Sequence, residues 1–219
     1  DQVGKLSGTF KRASSGIGYG LTETNAMGAV NAGAFYLANP TSTGRVVPAV
    51  TDFRIVGEDG LAKPIGERGE VCIKSLANVV GYWNKPEATA EAFVDGWFHT
   101  GDVGYLDEDG FLYIVDRIKE IIIRGGENIY SSEVENVLYD HPAVMDAALV
   151  GIDHKTLGEE PAVMVQLVPG QSASEAELQS WVRERLANFK VPVKILFSND
   201  SLPRNANGKI LKKDLKSLF

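Results

Sequence analysis

Residues 116–128, DRIKEIIIRGGEN, constrain the fold more than any other stretch of the chain. Charged Arg117, Lys119 and Glu120 lead into Ile121, Ile122 and Ile123, a β-branched run that predicts a strand buried on both faces. Gly125 and Gly126 follow, and glycine lets the backbone turn sharply or approach a ligand closely. Taken alone, these residues leave two readings open: a hinge that carries part of a ligand site, or an ordinary strand and glycine turn with solvated charges. The chain changes character here, from short strands between turns to alternating helix and strand patterns.

Between about residue 46 and Asp116, DFRIV, GEVCIKS and WFHTGD read as strands, and Tyr105 and Leu106 face residues 111–115 across a hairpin turn at Asp109-Gly110. Lys85-Pro86-Glu87 followed by ATAEAFV predicts one short helix with proline near its start. Residues 1 to about 45, rich in Gly, Ser, Ala and Asn, read as loops and fragments of a larger layer. After Arg117, Ser132-Glu133-Val134-Glu135 predicts a capping box and a helix to about Tyr139, ended by His141-Pro142. VMDAALVGI, PAVMVQLVP and KILF predict strands. Ser174-Glu175-Ala176-Glu177 predicts a second capping box, opening a longer helix with Leu178, Trp181, Val182, Leu186 and Phe189 on its core face. GKILKKDLKSLF predicts a closing amphipathic helix whose lysines suit the helix dipole. The expected fold class is α+β, in two domains: 1–116, β-rich from about residue 46, and 117–219, a small α+β unit able to fold alone.

Composition narrows function by exclusion. The 219 residues carry a formal net charge of −7 at pH 7 and no Lys/Arg-rich block, which argues against a nucleic acid held by electrostatics. The apolar runs are too short to span a bilayer, and the first residues lack a signal-peptide core. Cys72 is the single cysteine, so a reducing, cytoplasmic setting is expected, and within GEVCIKS it reads as a buried structural thiol rather than a nucleophile. His99, His141 and His154 lack metal-ligand spacing with one another or with Cys72, which argues against a zinc site. Neither a G-x-x-x-x-G-K-[ST] phosphate loop nor a G-x-S-x-G elbow occurs. Asp1 stands where an initiator Met would, and a glycine-rich segment arrives within the first 20 residues, so a preceding N-terminal region is expected.

Three stretches can carry chemistry. In residues 16–24, GIGYGLTET, the glycines bring backbone close to a ligand while Thr22 and Glu23 add a hydroxyl for phosphate and a hard carboxylate for magnesium; a plain turn or helix cap uses the same residues. In His99-Thr100-Gly101-Asp102 a carboxylate can accept both hydroxyls of a ribose, or close a hairpin as an Asx turn. In residues 203–209, PRNANGK, a polar turn delivers Lys209, either a compact positive charge for a carboxylate or phosphate or a solvated surface lysine.

Together, in order and spacing, GYGLTET, GYWNKPEATAEAF, DGWFHTGDVGYLDEDGFLYIVDRIKEIIIRGGENIYSSEVE and PRNANGKILKKDL resemble the adenylate-forming superfamily of acyl-CoA synthetases, over residues 18 to about 215. The combination looks most like fatty-acid or aryl-acid CoA ligases. The resemblance implies a β-rich, distorted barrel-like remnant of a large N-terminal domain followed by a small mobile α+β C-terminal domain. It implies ATP, Mg2+ and coenzyme A as cosubstrates, a carboxylic acid as substrate, and two half-reactions: formation of an acyl-adenylate with release of pyrophosphate, then acyl transfer to the coenzyme A thiol.

The same resemblance assigns roles by position. Thr22 matches a threonine at the ATP phosphates, with Gly18 and Gly20 in the same nucleotide segment, Glu23 the magnesium-associated glutamate, and Tyr19 a residue near the adenine and acyl pocket. Asp102 and Arg117 match the ribose-binding pair, Ile114 a residue along the adenine, and Lys209 the lysine that bridges carboxylate and phosphate during adenylation. Lys119 falls at the hinge, and Gly126, beside Gly125, at the pantetheine channel of coenzyme A. The family's Ser/Thr/Gly-rich phosphate loop and most of its acyl-pocket wall belong upstream of Gly18, so the expectation is a C-terminal portion that is inactive alone. A carrier-protein-loading adenylation domain and a non-catalytic module of the same fold are the alternatives. Oligomeric state is open, a homo-oligomer included.

Overall fold

A computed structural model describes residues 14–206 and 208–219. These form two compact units, one ending at Ile118 and the other spanning Lys119–Phe219. The expected loops of residues 1–13, and Asn207 of the PRNANGK turn, lie outside the described residues.

The first unit is built on an antiparallel sheet of eight strands: β1 (Gly16–Tyr19), β2 (Ala29–Ala32), β3 (Gly44–Val46), β4 (Thr51–Val56), β5 (Gly69–Ser75), β6 (Phe93–Val94), β7 (Trp97–Leu106) and β8 (Phe111–Arg117). Their order is β1-β2-β3-β8-β7-β5-β4, with β6 alongside β7. Two helices accompany them, α1 (Ala34–Ala38) and α2 (Pro86–Ala92), the latter with its proline at the first turn as expected.

The sheet is an open path with β1 at one end and β4 at the other. One expectation is corrected here. Residues 14–45 are not mainly loops: β1, β2 and β3 extend the sheet through β8. These strands are short and rich in Gly and Ala, and along Ala29–Ala32 the buried positions are Ala29 and Asn31 while Val30 is exposed, so the alternation of burial leaves no apolar periodicity in the sequence. The core of this unit gathers Ala29, Ile55, Val71, Ile73 and Leu112, with Tyr19, Leu21 and Ile114 packed against it.

The second unit contains β9 (Ile122–Arg124), β10 (Glu127–Ile129), α3 (Ser131–Tyr139), β11 (Val144–His154), β12 (Gly158–Leu167), α4 (Glu175–Arg183), β13 (Lys194–Ser198) and α5 (Lys212–Lys216). One edge of β12 pairs with β11; along the other, β9 meets Gly158 and β13 runs parallel from Ala162 to Gln166. Both faces are covered. Ala147, Leu149, Val163 and Val165 point to α3 and α4 residues, while Ala148, Val150, Ala162 and Met164 pack with Leu202 and Leu215. This two-sided burial explains the near-continuous apolar runs of β11 and β12.

Four local expectations shift. The isoleucine run forms a short strand buried on one face only, because β9 turns straight into β10: Ile122 is buried with Ile129, while Ile123 is 55% exposed. Gly125 and Gly126 are the two-residue loop of that hairpin, both at positive φ (60° and 89°), as a primed turn requires. The first helix of this unit, α3, starts at Ser131, one residue earlier than the Ser132 cap predicts, with Tyr130 at its N-cap, and Glu135 accepts from the Leu149 N–H. The box at Ser174 does form, reciprocally with Glu177, but α4 ends at Arg183, so Leu186 and Phe189 reach the core from the chain beyond it. The closing helix is only the five residues of α5.

Among the described residues no helix is long and apolar enough to cross a membrane. Replacing Ser174 with Ala removes the acceptor for the Glu177 N–H and is expected to cost about 1 kcal/mol, measured as a lower urea midpoint with unchanged m-value.

Candidate functional site

Asp102 sits in a bulge. Cys72 pairs with His99 and Glu70 with Val103, so residues 100–102 of β7 stand opposite the single Val71 of β5. The bulge frees backbone groups that side chains then satisfy. Thr100 Oγ1 donates to the Val71 carbonyl at 2.7 Å and accepts from the Asp102 N–H at 3.1 Å. Glu70 Oε1 accepts from the Gly101 N–H at 2.9 Å, and Glu70 Oε2 from His99 Nδ1 at 2.7 Å. The result is a buried Asp102, 5% exposed. Asp102 thus lies within a strand, not in an Asx turn closing a hairpin.

Tyr19 and Arg117 meet this carboxylate. The Tyr19 hydroxyl donates to Asp102 Oδ2 at 2.7 Å, and Arg117 Nε lies 2.9 Å from Oδ1, directly across the β7–β8 register. Burial pushes the Tyr19 phenol well above its ordinary range, and the Asp102 charge adds to this, so the hydroxyl remains a donor. A carboxylate offers about four lone-pair positions, so acceptor capacity remains for vicinal hydroxyls. Ile114, three residues before Arg117 in β8, is half-buried against the core of the first unit.

Thr22 is exposed and Glu23 half-buried in a 3-10 turn, Thr22–Thr24, immediately after β1. Glu23 Oε1 accepts from the Tyr82 hydroxyl at 2.8 Å, and its carbonyl accepts from the Val79 N–H at 2.8 Å, tying this turn to the GYWNKPEAT segment. Burial and then the Glu23 hydrogen bond push the Tyr82 phenol up to about 12. An oxygen-only donor such as Glu23 suits a hard divalent cation. Gly20 has a packing reason beside any ligand: a Cβ there would lie 2.4 Å from the Ala26 carbonyl oxygen. Gly18 is exposed in β1. Thr100, within the HTGD stretch, and Tyr82, within a family motif, are marked by the sequence without a role of their own, whereas Glu70 is marked only by the register of β5 against β7.

That register also brings Cys72 beside His99, with Sγ 3.5 Å from Nδ1, and the donor atoms of Glu70, Cys72 and His99 lie within 4.8 Å of one another. Sequence spacing could not reveal this cross-strand cluster. Both Glu70 and Cys72 address the same ring nitrogen, and Glu70 also holds Gly101, so the cluster supports the bulge.

In the second unit Lys209 is exposed in the turn after Arg204, its N–H bonded to Asn205 Oδ1 at 2.9 Å. Lys119 is exposed in a 3-10 turn, Ile118–Glu120. Gly126 is exposed at the β9–β10 hairpin, where a Cβ would meet nothing within 4 Å, and the Gly125 N–H donates to the Leu157 carbonyl at 2.7 Å. Lys212, next along, is pinned between Glu135 (2.8 Å) and Glu120 (3.0 Å). Burial opposes its charge, but the two carboxylates outweigh that and hold its pKa above the ordinary lysine value. The stabilisation is therefore present at neutral pH and lost only as pH rises through the raised pKa.

Residues 3–83 match the AMP-binding enzyme family and residues 133–209 the AMP-binding enzyme C-terminal domain. The chain belongs to this family of AMP-binding, adenylate-forming proteins. It is 46% identical over 92% of its length to a 2-succinylbenzoate–CoA ligase of Geobacillus kaustophilus, and 42% identical over 92% to a fatty acid–[acyl-carrier-protein] ligase of Streptomyces coeruleorubidus. These matches cover 40% and 39% of the two relatives, so the chain spans about two fifths of their length. The o-succinylbenzoate CoA synthetase of Bacillus subtilis, solved with its acyl-adenylate intermediate, superposes with a TM-score of 0.85 at 38% identity, over 92% of this chain and 40% of that one.

Burial pushes the Cys72 thiol up to about 12, the nearby Glu70 charge adding to it against Arg54. The thiol is therefore protonated and inaccessible: at about pH 8 a disulfide reagent is expected to leave it unmodified in the native protein and to titrate it fully after denaturation.

Proposed function

We propose that this chain is the nucleotide-binding and lysine-bearing part of an acyl-CoA synthetase, which joins a carboxylic acid to AMP at the expense of ATP and passes the acyl group to coenzyme A. The observation that carries this reading is the Asp102 carboxylate, buried in a strand bulge and held between the Tyr19 hydroxyl and Arg117, in a chain of the AMP-binding family. Asp102 accepts the ribose hydroxyls, Arg117 and Ile114 flank the nucleoside, and Tyr19 orients the carboxylate while lining the adenine and acyl side. Gly18, Gly20 and Thr22 lie along the phosphates. Magnesium held at Glu23 would offset phosphate charge, with Tyr82 fixing the carboxylate that receives it.

Lys209 then stands for the positive charge that adenylation needs where two anions approach. Its place in a separate unit suits a two-stage mechanism in which Lys119 is the pivot and the hairpin at Gly125 and Gly126 serves the second stage, beside the pantetheine arm. A cytoplasmic setting suits the free thiol. Carrier-protein loading is the second reading, supported by the 42%-identical acyl-carrier-protein ligase.

In the full-length protein, Lys209→Ala is expected to lower ATP–pyrophosphate exchange by about a hundredfold or more and to leave thioester formation from supplied acyl-adenylate within a few fold. Asp102→Ala is expected to raise the KM for ATP. Equal effects of Lys209→Ala on both half-reactions would remove its assigned role. Supplying free coenzyme A and a phosphopantetheinyl carrier in parallel separates the two readings by which one becomes acylated.

A further inference from the structure

We propose that Arg204 and Asp146 form a clamp that sets the position of the Lys209 turn, making Arg204 a positioning residue for the lysine-dependent half-reaction. This rests on the reading of Lys209 as the adenylation lysine. The turn is a small hairpin closed by its own bonds: Asn205 N–H to the Lys209 carbonyl at 2.8 Å, Gly208 N–H to the Asn205 carbonyl at 2.9 Å, and an antiparallel bridge between Arg204 and Ile210. A hairpin of this size is marginal by itself. Leu202 and Ile210 dock at its base in the core, but the described residues between them are exposed.

Arg204 ties this exposed tip to the sheet. One guanidinium nitrogen, Nη2, donates to Asp146 Oδ2, and the other, Nη1, donates to the Gly208 carbonyl at 2.6 Å, the carbonyl of the peptide that enters Lys209. The planar fork therefore spans a carboxylate on β11 and the backbone beside the lysine in one rigid group. The carboxylate end does not yield, because Asp146 is 8% exposed and its Oδ1 accepts from the Tyr139 hydroxyl at 2.7 Å and the Ala147 N–H at 3.0 Å. Burial, followed by the hydrogen bond to Asp146, pushes the Tyr139 phenol up to about 12, so it stays a donor. Asp146 lies where the β11–β12 register shifts, between Val144 and Asp146. A carboxylate placed there requires a charged partner, and the partner comes from the lysine turn.

A lysine at position 204 keeps the charge beside Asp146 but cannot hold both acceptors at once. In the full-length protein, Arg204→Lys is expected to keep Tm within about 2 °C of the parent while the kcat of adenylation falls about tenfold or more. KM for ATP and for the acid, and thioester formation from supplied acyl-adenylate, should stay within about twofold. Asp146→Asn, which keeps the Tyr139 acceptor, should reproduce the half-reaction selectivity. Normal adenylation in Arg204→Lys alongside a defective Lys209→Ala overturns the clamp and leaves the lysine reading standing. Unimpaired adenylation in Lys209→Ala overturns both. A loss spread equally over the two half-reactions makes Arg204 merely structural and also overturns the proposal.

Discussion

Withdrawing a carboxylate from water costs several kcal/mol unless its oxygens find partners, and the first unit is organised around that constraint at Asp102. The bulge that carries Asp102 breaks the β5–β7 ladder, so Thr100 and Glu70 must satisfy the groups it frees. Tyr19 can reach Oδ2 only because β1 is carried into the sheet by β2 and β3, and Arg117 reaches Oδ1 only because β8 pairs with β7 in this register. Removing any of these supports leaves a buried charge short of a partner, which is why short strands of Gly and Ala belong to the site as much as the charged residues do.

The second unit meets the same constraint twice. Asp146 is neutralised by Arg204 and hydrogen-bonded by Tyr139, and Lys212 is held between Glu120 and Glu135. Both networks tie the C-terminal segment to earlier elements: the first joins the Lys209 turn to β11, the second joins α5 to α3 and to the turn that carries Lys119. The segment has little helix of its own, five residues in α5, so fixed ion pairs and the Leu202 and Leu215 contacts replace helical order in locating it.

Sequence patterns were most legible where one local rule dominated. The proline-started α2, the reciprocal cap of Ser174 with Glu177, the Asp109-Gly110 hairpin and the apolar runs of β11 and β12 all appear as expected. Reading failed where tertiary structure decided a residue's contacts. Glu135 also accepts from the Leu149 N–H and pairs with Lys212, contacts that no local rule gives, and Ile123 fits a doubly buried strand but faces outward because β9 turns into β10 after three residues. Small-residue strands near the N-terminus gave no periodic signal at all.

The order and spacing of motifs, from GYGLTET to PRNANGKILKKDL, determined the family and the residue types available to the site, because those depend on chemistry written locally in the chain. Only the tertiary structure decided which of these groups meet. Tyr19 and Asp102 are 83 positions apart, and Asp146 and Arg204 are 58 apart; sheet register and side-chain burial, not sequence proximity, turn each pair into a hydrogen bond. The same physics placed Glu70, Cys72 and His99 together, since a one-residue change in the β5–β7 pairing would send their side chains to the opposite face.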